Sequence, residues 1–358
     1  MYLTVNNLAQ HLISTGLISA ESVVSGDLVI SETGRRNRNF RVTRRSGPGL
    51  FIKQIKTSDQ QSAHTMARES AFYNAVHSNP RYAPLKRIVP PFVRRDAARQ
   101  ALVLEDLPKA ESLMLQQLRS GEYTEDSAEL LGTLLATVHP FGAGVAQDPD
   151  LQVLCIRQPP WPMMLDTIGQ GFFQSCGPGG AALNGVMQQF PPLIPSLAAL
   201  RNMWDTTSLI HGDMKWDNCL VWRDDNGKLE MRLADWELAE LGDAAWDIAT
   251  VFKDYLLVPL LQSQPGSQLK RQALESLLPR LRTFWTAYVR TAGLAGPARA
   301  MLLHRSVCFT AARLVTAMLE YLSAAPNQLH APTAMAQTAM SIVQFPQVAT
   351  HQLLGDAA

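Results

Sequence analysis

The chain has 358 residues, 46% of them hydrophobic and 18% charged, with a formal net charge of +1. This composition excludes a disordered polymer, and the near-neutral charge gives no general attraction to nucleic acid or to a membrane surface. The length exceeds what one small core organises, so two domains are expected.

Thr4–Gly16 places Val5, Leu8, Leu12 and Ile13 at helical spacing and ends on a glycine. Val23–Ile30 and Phe40–Arg44 alternate as strands do, with the basic Ser31–Asn39 stretch as the hairpin loop between them. Leu50–Ile55 predicts a third strand and Ser62–His77 a helix. Ile88–Val93 and Ala101–Leu104 complete a small, mostly antiparallel sheet. After Pro108 the pattern turns helical. Ala128–His139 has one apolar face, residues 140–195 are rich in Pro and Gly without a clear period, and Ala244–Leu257, Leu269–Ala292, Pro297–Ala324 and Ala334–Val343 predict helices. Periodicity alone gives a two-lobed α+β protein.

Four cysteines without a CxxC pair read as reduced thiols, which suits a cytoplasmic protein. The first 28 residues lack a basic segment followed by an apolar one, so no signal peptide is expected. Runs such as Leu256–Leu261 fall short of a membrane span.

The charge is unevenly placed: residues 1–108 hold 15 Lys/Arg against 8 Asp/Glu, residues 201–250 hold 5 against 11, and residues 251–358 hold 9 against 4. The acidic segment carries an ordered set of motifs. His211-Gly212-Asp213-Met214-Lys215-Trp216-Asp217-Asn218 lies between apolar segments. A turn at Asp224–Gly227 and a strand at Leu229–Leu233 lead to Asp235-Trp236-Glu237. Gly242-Asp243-Ala244-Ala245-Trp246-Asp247 follows. Phosphoryl transfer needs a carboxylate to orient a hydroxyl, oxygen ligands for a hard cation, and a cation for the γ-phosphate. Asp213 can be the base, Asn218 and Asp235 the Mg²⁺ ligands, and Lys215 the contact to the γ-phosphate.

In this order and spacing the motifs resemble those of the aminoglycoside phosphotransferase and choline kinase-like family. The resemblance implies an α+β, two-lobed protein kinase-like fold with a small antiparallel sheet lobe and a larger, mainly helical lobe. Residues 1–104 would be the nucleotide-binding lobe, 105–108 the connector, and 109–358 the catalytic and substrate lobe. It also implies ATP and Mg²⁺ as cofactors, with Asp213 as base, Asn218 and Asp235 on the metal, His211 packing the loop, and Asp247 bracing it. Glu237 is a further candidate metal ligand, beside the reading of an exposed loop acid.

On the nucleotide side, Lys53 in the strand Leu50–Ile55 is expected to meet the α- and β-phosphates, paired with Glu69 on the next helix. Lys56 is its rival. The Ser31–Asn39 loop would lie over the phosphates, with Asn37 among its candidate contacts. Glu105 and Leu107 would offer backbone groups to adenine in an apolar slot. His139 reads as a packing residue. The Gly-rich stretches at 169–171 and 177–180 read as loop, and Trp161, Trp204, Trp216, Trp236 and Trp246 read mainly as core.

The acceptor is a hydroxyl of a small molecule or of a peptide, with no nucleic-acid or membrane partner. A basic 251–358 region suits an acidic or peptidic acceptor, such as Ser/Thr of a precursor peptide handed to a partner lyase in lanthipeptide-like maturation. The acidic Glu111–Glu129 stretch keeps an antibiotic acceptor open. A non-catalytic, pseudokinase scaffold is the weakest alternative, because Lys53, Asp213, Asn218 and Asp235 are all present.

Overall fold

Phe40, Val42, Leu50, Ile52, Ala101 and Val103 occupy alternate positions of three strands and form one buried cluster, as period-2 patterning dictates. In the computed structural model, described over residues 2–33, 38–55, 60–120, 124–262 and 271–355, these strands belong to an antiparallel sheet of order β1-β2-β3-β5-β4. Its strands are β1 (Leu28–Glu32), β2 (Arg38–Arg44), β3 (Leu50–Gln54), β4 (Phe92–Asp96) and β5 (Ala101–Glu105). Helix α1 (Val5–Ser14) covers the cluster with Leu8 and Leu12. Helix α3 (Gln60–Ser78) follows β3.

The chain divides into two compact units. The first comprises Met1–Ser112, Asp148–Leu154 and Cys219–Ala239, so it takes in the hairpin Cys219–Arg223 and Leu229–Leu233 as well as the sheet. The second comprises Leu113–Gln147, Cys155–Asn218 and Glu240–Ala358. It is mainly helical, with α4 (Leu113–Ser120), α5 (Glu125–Val138), α6 (Gly142–Gln147), α7 (Leu165–Ser175), α8 (Gly177–Gln188) and α9 (Leu193–Ala199). The long helices α10 (Ala244–Gln262), α11 (Arg271–Ala292) and α12 (Gly296–Ala324) follow, then α13 (His330–Gln344) and α14 (Pro346–Leu354). The short strands Ser208–Ile210 and Glu240–Gly242 pair antiparallel and lead into and out of the motif region. Helix α5 approaches α11 closely at Gly132, where a Cβ would lie 2.3 Å from the Phe284 carbonyl oxygen. Helix α12 is long and apolar enough to cross a membrane, but 67% of its apolar window is buried inside the protein.

The small antiparallel sheet and larger helical part agree with the expected kinase-like fold. Several local expectations need correction. Val23–Ile30 is not one strand: Ala20–Val24 forms the short helix α2, and β1 starts only at Leu28. The Ser19 hydroxyl accepts the Ser22 N–H, and this cap outweighs the β preference of two valines. Ile88–Val93 is strand only from Phe92, because Pro90 and Pro91 have no N–H for a ladder. Ile88 instead follows a 3₁₀ helix, Pro80–Arg87, and its carbonyl accepts the Leu233 N–H at 2.6 Å. The Gly-rich stretches are not loops but lie in α7 and α8, with a break at Gly169. Strands β1 and β2 take up part of the Ser31–Asn39 stretch, and Asn37, Arg35, Arg36 and the rival Lys56 lie outside the described residues.

Candidate active site

Lys53 follows Ile52 in β3, so its side chain leaves the sheet on the face opposite the apolar cluster. There its ammonium lies 2.8 Å from Glu69 of α3 and 2.8 Å from Glu237, and it also pairs with Asp235. Lys53 is 6% and Glu69 1% exposed, so this pair is sealed from water. Burial works against the charge of Lys53, but Glu69, Asp235 and Glu237 outweigh it and raise its pKa. Burial likewise raises the carboxyl of Glu69 above its usual range, against the pull of Lys53.

Oxygens of Glu69, Asp235 and Glu237 lie within 4.8 Å of one another. Three carboxylates against one ammonium leave an excess of negative charge, and the donors are all hard oxygens, so the group suits a cation such as Mg²⁺. Asp235 has φ +66°, an uncommon left-handed conformation that short polar residues tolerate. The next residue, Trp236, is fully buried and stacks on Phe72 of α3 at 4.1 Å, while its indole N–H donates to the Leu233 carbonyl. This anchor fixes the segment that carries Asp235 and Glu237.

Glu105 ends β5, and its N–H donates to the Pro91 carbonyl at 2.9 Å. In an antiparallel pair the partner would return a second bond, but Pro91 has no N–H. The Glu105 carbonyl is thereby left without that strand partner. Leu107 turns its own carbonyl to the Ala110 N–H at 3.0 Å and to Arg41 at 3.4 Å.

In the helical unit, residues 211–218 form a tight loop. Gly212 has φ +81°, a conformation open to glycine at little cost, and this turn presents Asp213. The two carboxylate oxygens of Asp247, on α10, accept the N–H groups of His211 at 2.7 Å and Gly212 at 3.0 Å. His139 Nε2 lies 3.3 Å from Asp247, and its Nδ1 lies 2.7 Å from the Tyr288 hydroxyl. His139 is therefore buried, as expected of a packing residue, and also hydrogen-bonded. The Trp246 indole donates to the Gly212 carbonyl at 3.1 Å.

Asp213 itself faces two cations. Lys215 Nζ lies 2.9 Å from Oδ2 and Arg313 Nη2 lies 3.3 Å from Oδ1. Burial pushes its carboxyl up, but Arg313 and Lys215 outweigh this and hold it well below the usual carboxylate range. The Asn218 side-chain nitrogen donates to the Asp213 carbonyl at 2.8 Å and approaches its carboxylate at 3.4 Å. Its amide oxygen is thus the atom left to act as a ligand.

Sequence reasoning missed Arg313, Asp254 and the part played by Pro91. Asp254 is buried on α10 and accepts the Trp216 N–H at 2.9 Å. Arg313 is the only charged residue between Arg305 and Glu320 in an otherwise apolar stretch, and that isolation was the available signal. Trp216, Trp236 and Trp246 are buried in the core, as expected.

Several solved structures share the fold of this chain. A choline/ethanolamine kinase family protein from Mesorhizobium loti is 17% identical, with a TM-score of 0.51 and 98% of each chain covered. The GDP complex of wild-type aminoglycoside 2'-phosphotransferase-IIIa is 12% identical, with a TM-score of 0.52 over 97% of this chain and 99% of that one. Macrolide 2'-phosphotransferase MphH from Brachybacterium faecium is 16% identical, with a TM-score of 0.50 over 94% and 98%. At such identities the likeness is one of fold. No curated protein sequence matches the chain. The sequence model of the APH phosphotransferase enzyme family matches residues 29–284, which include Lys53, Asp213 and Asp235, so the chain belongs to that family of enzymes, which transfer phosphate to hydroxyl groups.

Proposed function

We propose that this enzyme transfers the γ-phosphoryl group of ATP, with Mg²⁺, to a hydroxyl of a small molecule. The observation that carries the reading is the environment of Asp213: an ionised carboxylate with Lys215 and Arg313 on its oxygens and Asn218 on its backbone carbonyl. Asp213 accepts a hydrogen bond from the acceptor hydroxyl and takes its proton as the bond to phosphorus forms. A carboxylate held this acidic is a weak base, which suits a loose transition state in which positioning matters more than early deprotonation. Lys215 turns from Asp213 to the γ-phosphate. Lys53, fixed by Glu69, meets the α- and β-phosphates. The Glu105 carbonyl and the Leu107 N–H receive the adenine edge. In the first unit Asp235 and Glu237 would hold the metal, in the second the Asn218 amide oxygen is a candidate ligand, and the ion would neutralise charge on the phosphates.

The acceptor is neutral or acidic rather than polycationic. Two cations flank Asp213, and the face of Trp246 is taken by Arg313, whose guanidinium carbon lies 4.8 Å from the ring centroid. Trp216 packs against Tyr255 and Trp236 against Phe72, so these rings are not offered to a quaternary ammonium. Nothing in the family match or among the relatives named above supports a peptide acceptor or a partner lyase.

The direct test is calorimetry of ATP binding with and without Mg²⁺, followed by an ATP-consumption screen over hydroxyl compounds. Asp235→Ala is expected to remove the metal dependence of binding. Metal dependence equal to that of the wild type would rule out its role.

A further inference from the structure

Two carboxylates of α10 hold the backbone of the loop that carries Asp213. Asp247 and Asp254 are seven residues apart, two helical turns, and so lie on one face. Asp247 accepts the N–H groups of His211 and Gly212, before Asp213, and Asp254 accepts the N–H of Trp216, after it. The Trp246 indole adds a bond to the Gly212 carbonyl. Helix α10 thus holds the loop backbone on both sides of Asp213.

Arg313, on α12, does something else. It is 5% exposed, its guanidinium lies over the Trp246 ring, and its Nη2 lies 3.3 Å from Oδ1 of Asp213. It meets the side chain of Asp213, where α10 holds the backbone. We propose that Arg313 is a positioning residue, which fixes the Asp213 carboxylate and remains its counter-ion when Lys215 turns to the phosphate.

The need for such a residue follows from charge. Asp213 is largely enclosed, and a buried carboxylate left without a partner is costly. Lys215, with 27% of its side chain exposed, is the more accessible of the two cations on Asp213. Its other charged neighbours are Glu320 and Asp217, both at the surface. If Lys215 were the sole counter-ion, its departure would strand the base during the reaction. Arg313 cannot follow it, because the Trp246 ring and the packing of α12 hold its guanidinium in place. Arginine suits this task, since it stacks on an aromatic face and stays charged when buried.

This inference rests on the phosphotransferase reading, and the experiment separates the two. MgATP turnover, with water as the receiving group, and MgATP binding by calorimetry are compared in the wild type, Arg313→Met and Arg313→Lys. Arg313→Met is expected to lower kcat about 100-fold with the KM and Kd for MgATP within threefold, and Arg313→Lys to recover part of that loss. Should Arg313→Met not fold, Arg313→Lys alone decides, through a lowered kcat at an unchanged Kd and melting temperature. Wild-type turnover in Arg313→Met would overturn the inference while leaving the phosphotransferase reading intact. So would equal losses in both variants in step with equal falls in melting temperature, the mark of a purely structural residue. A wild-type chain that neither binds nor consumes MgATP would sink the phosphotransferase reading, and this inference with it.

Discussion

Lys53 Nζ lies 2.8 Å from Glu69 Oε2, joining a strand of the sheet to the helix that follows it in a pair closed to solvent. The pair comes at a cost in stability. Burial raises the Glu69 carboxyl above its ordinary 4.5, so the folded chain holds a proton that the unfolded chain has released. The contribution of Glu69 to stability is then greatest below pH 4.5 and falls as pH rises from there towards the raised value.

Glu69→Gln removes that proton linkage. We expect its melting temperature to fall less between pH 5 and pH 8 than that of the wild type, while MgATP turnover drops tenfold or more because Lys53 loses its anchor. Thermal melts at the two pH values check the sign. A steeper decline in the variant would contradict the assignment.

Pro91→Ala supplies the N–H that strand β4 lacks beside Glu105. The Glu105 carbonyl then gains a neighbour within the sheet and is less available to adenine. A net hydrogen bond is worth about 1 kcal/mol, so ATP affinity should weaken by roughly fivefold, with melting temperature unchanged or higher. Calorimetry with ATP measures this, and an unaltered Kd would remove Glu105 from the adenine site.

Asp247→Ala leaves the N–H groups of His211 and Gly212, together with His139, without their buried acceptor. Such unpaired donors cost on the order of 3 kcal/mol together. Chemical denaturation should show a loss of this size, with turnover falling in parallel as the Asp213 loop relaxes. A variant as stable as the wild type would mean that the loop is held by other means.

The kinase-like fold and the candidate residues were legible because the chemistry demands fixed residue types at fixed spacing. Asp213, Asn218 and Asp235 stand in one short stretch, and Lys53 and Glu69 sit on a strand and helix whose periods are plain. Arg313 was hidden because its partner lies 100 residues away, and its isolation in an apolar stretch of α12 does not say which residue it meets. Asp254 looked like one more helix acid, since only the packing of α10 beneath Trp216 gives it an amide to hold. Pro91 read as part of a strand, and its meaning came from the N–H it lacks opposite Glu105. Residues 140–195 defeated periodicity because α7 is interrupted at Gly169, where φ is +61°, and α8 opens on Gly177-Pro178.

Asp213→Asn tests the central claim most directly. The substitution keeps the size and shape of the side chain and removes its negative charge and its capacity to accept a proton. MgATP consumption should fall by about 10²- to 10⁴-fold, the range for losing a general base, while MgATP binds with a Kd within about threefold of the wild type. Turnover within a few-fold of the wild type, at comparable MgATP affinity, would show that Asp213 is not the base.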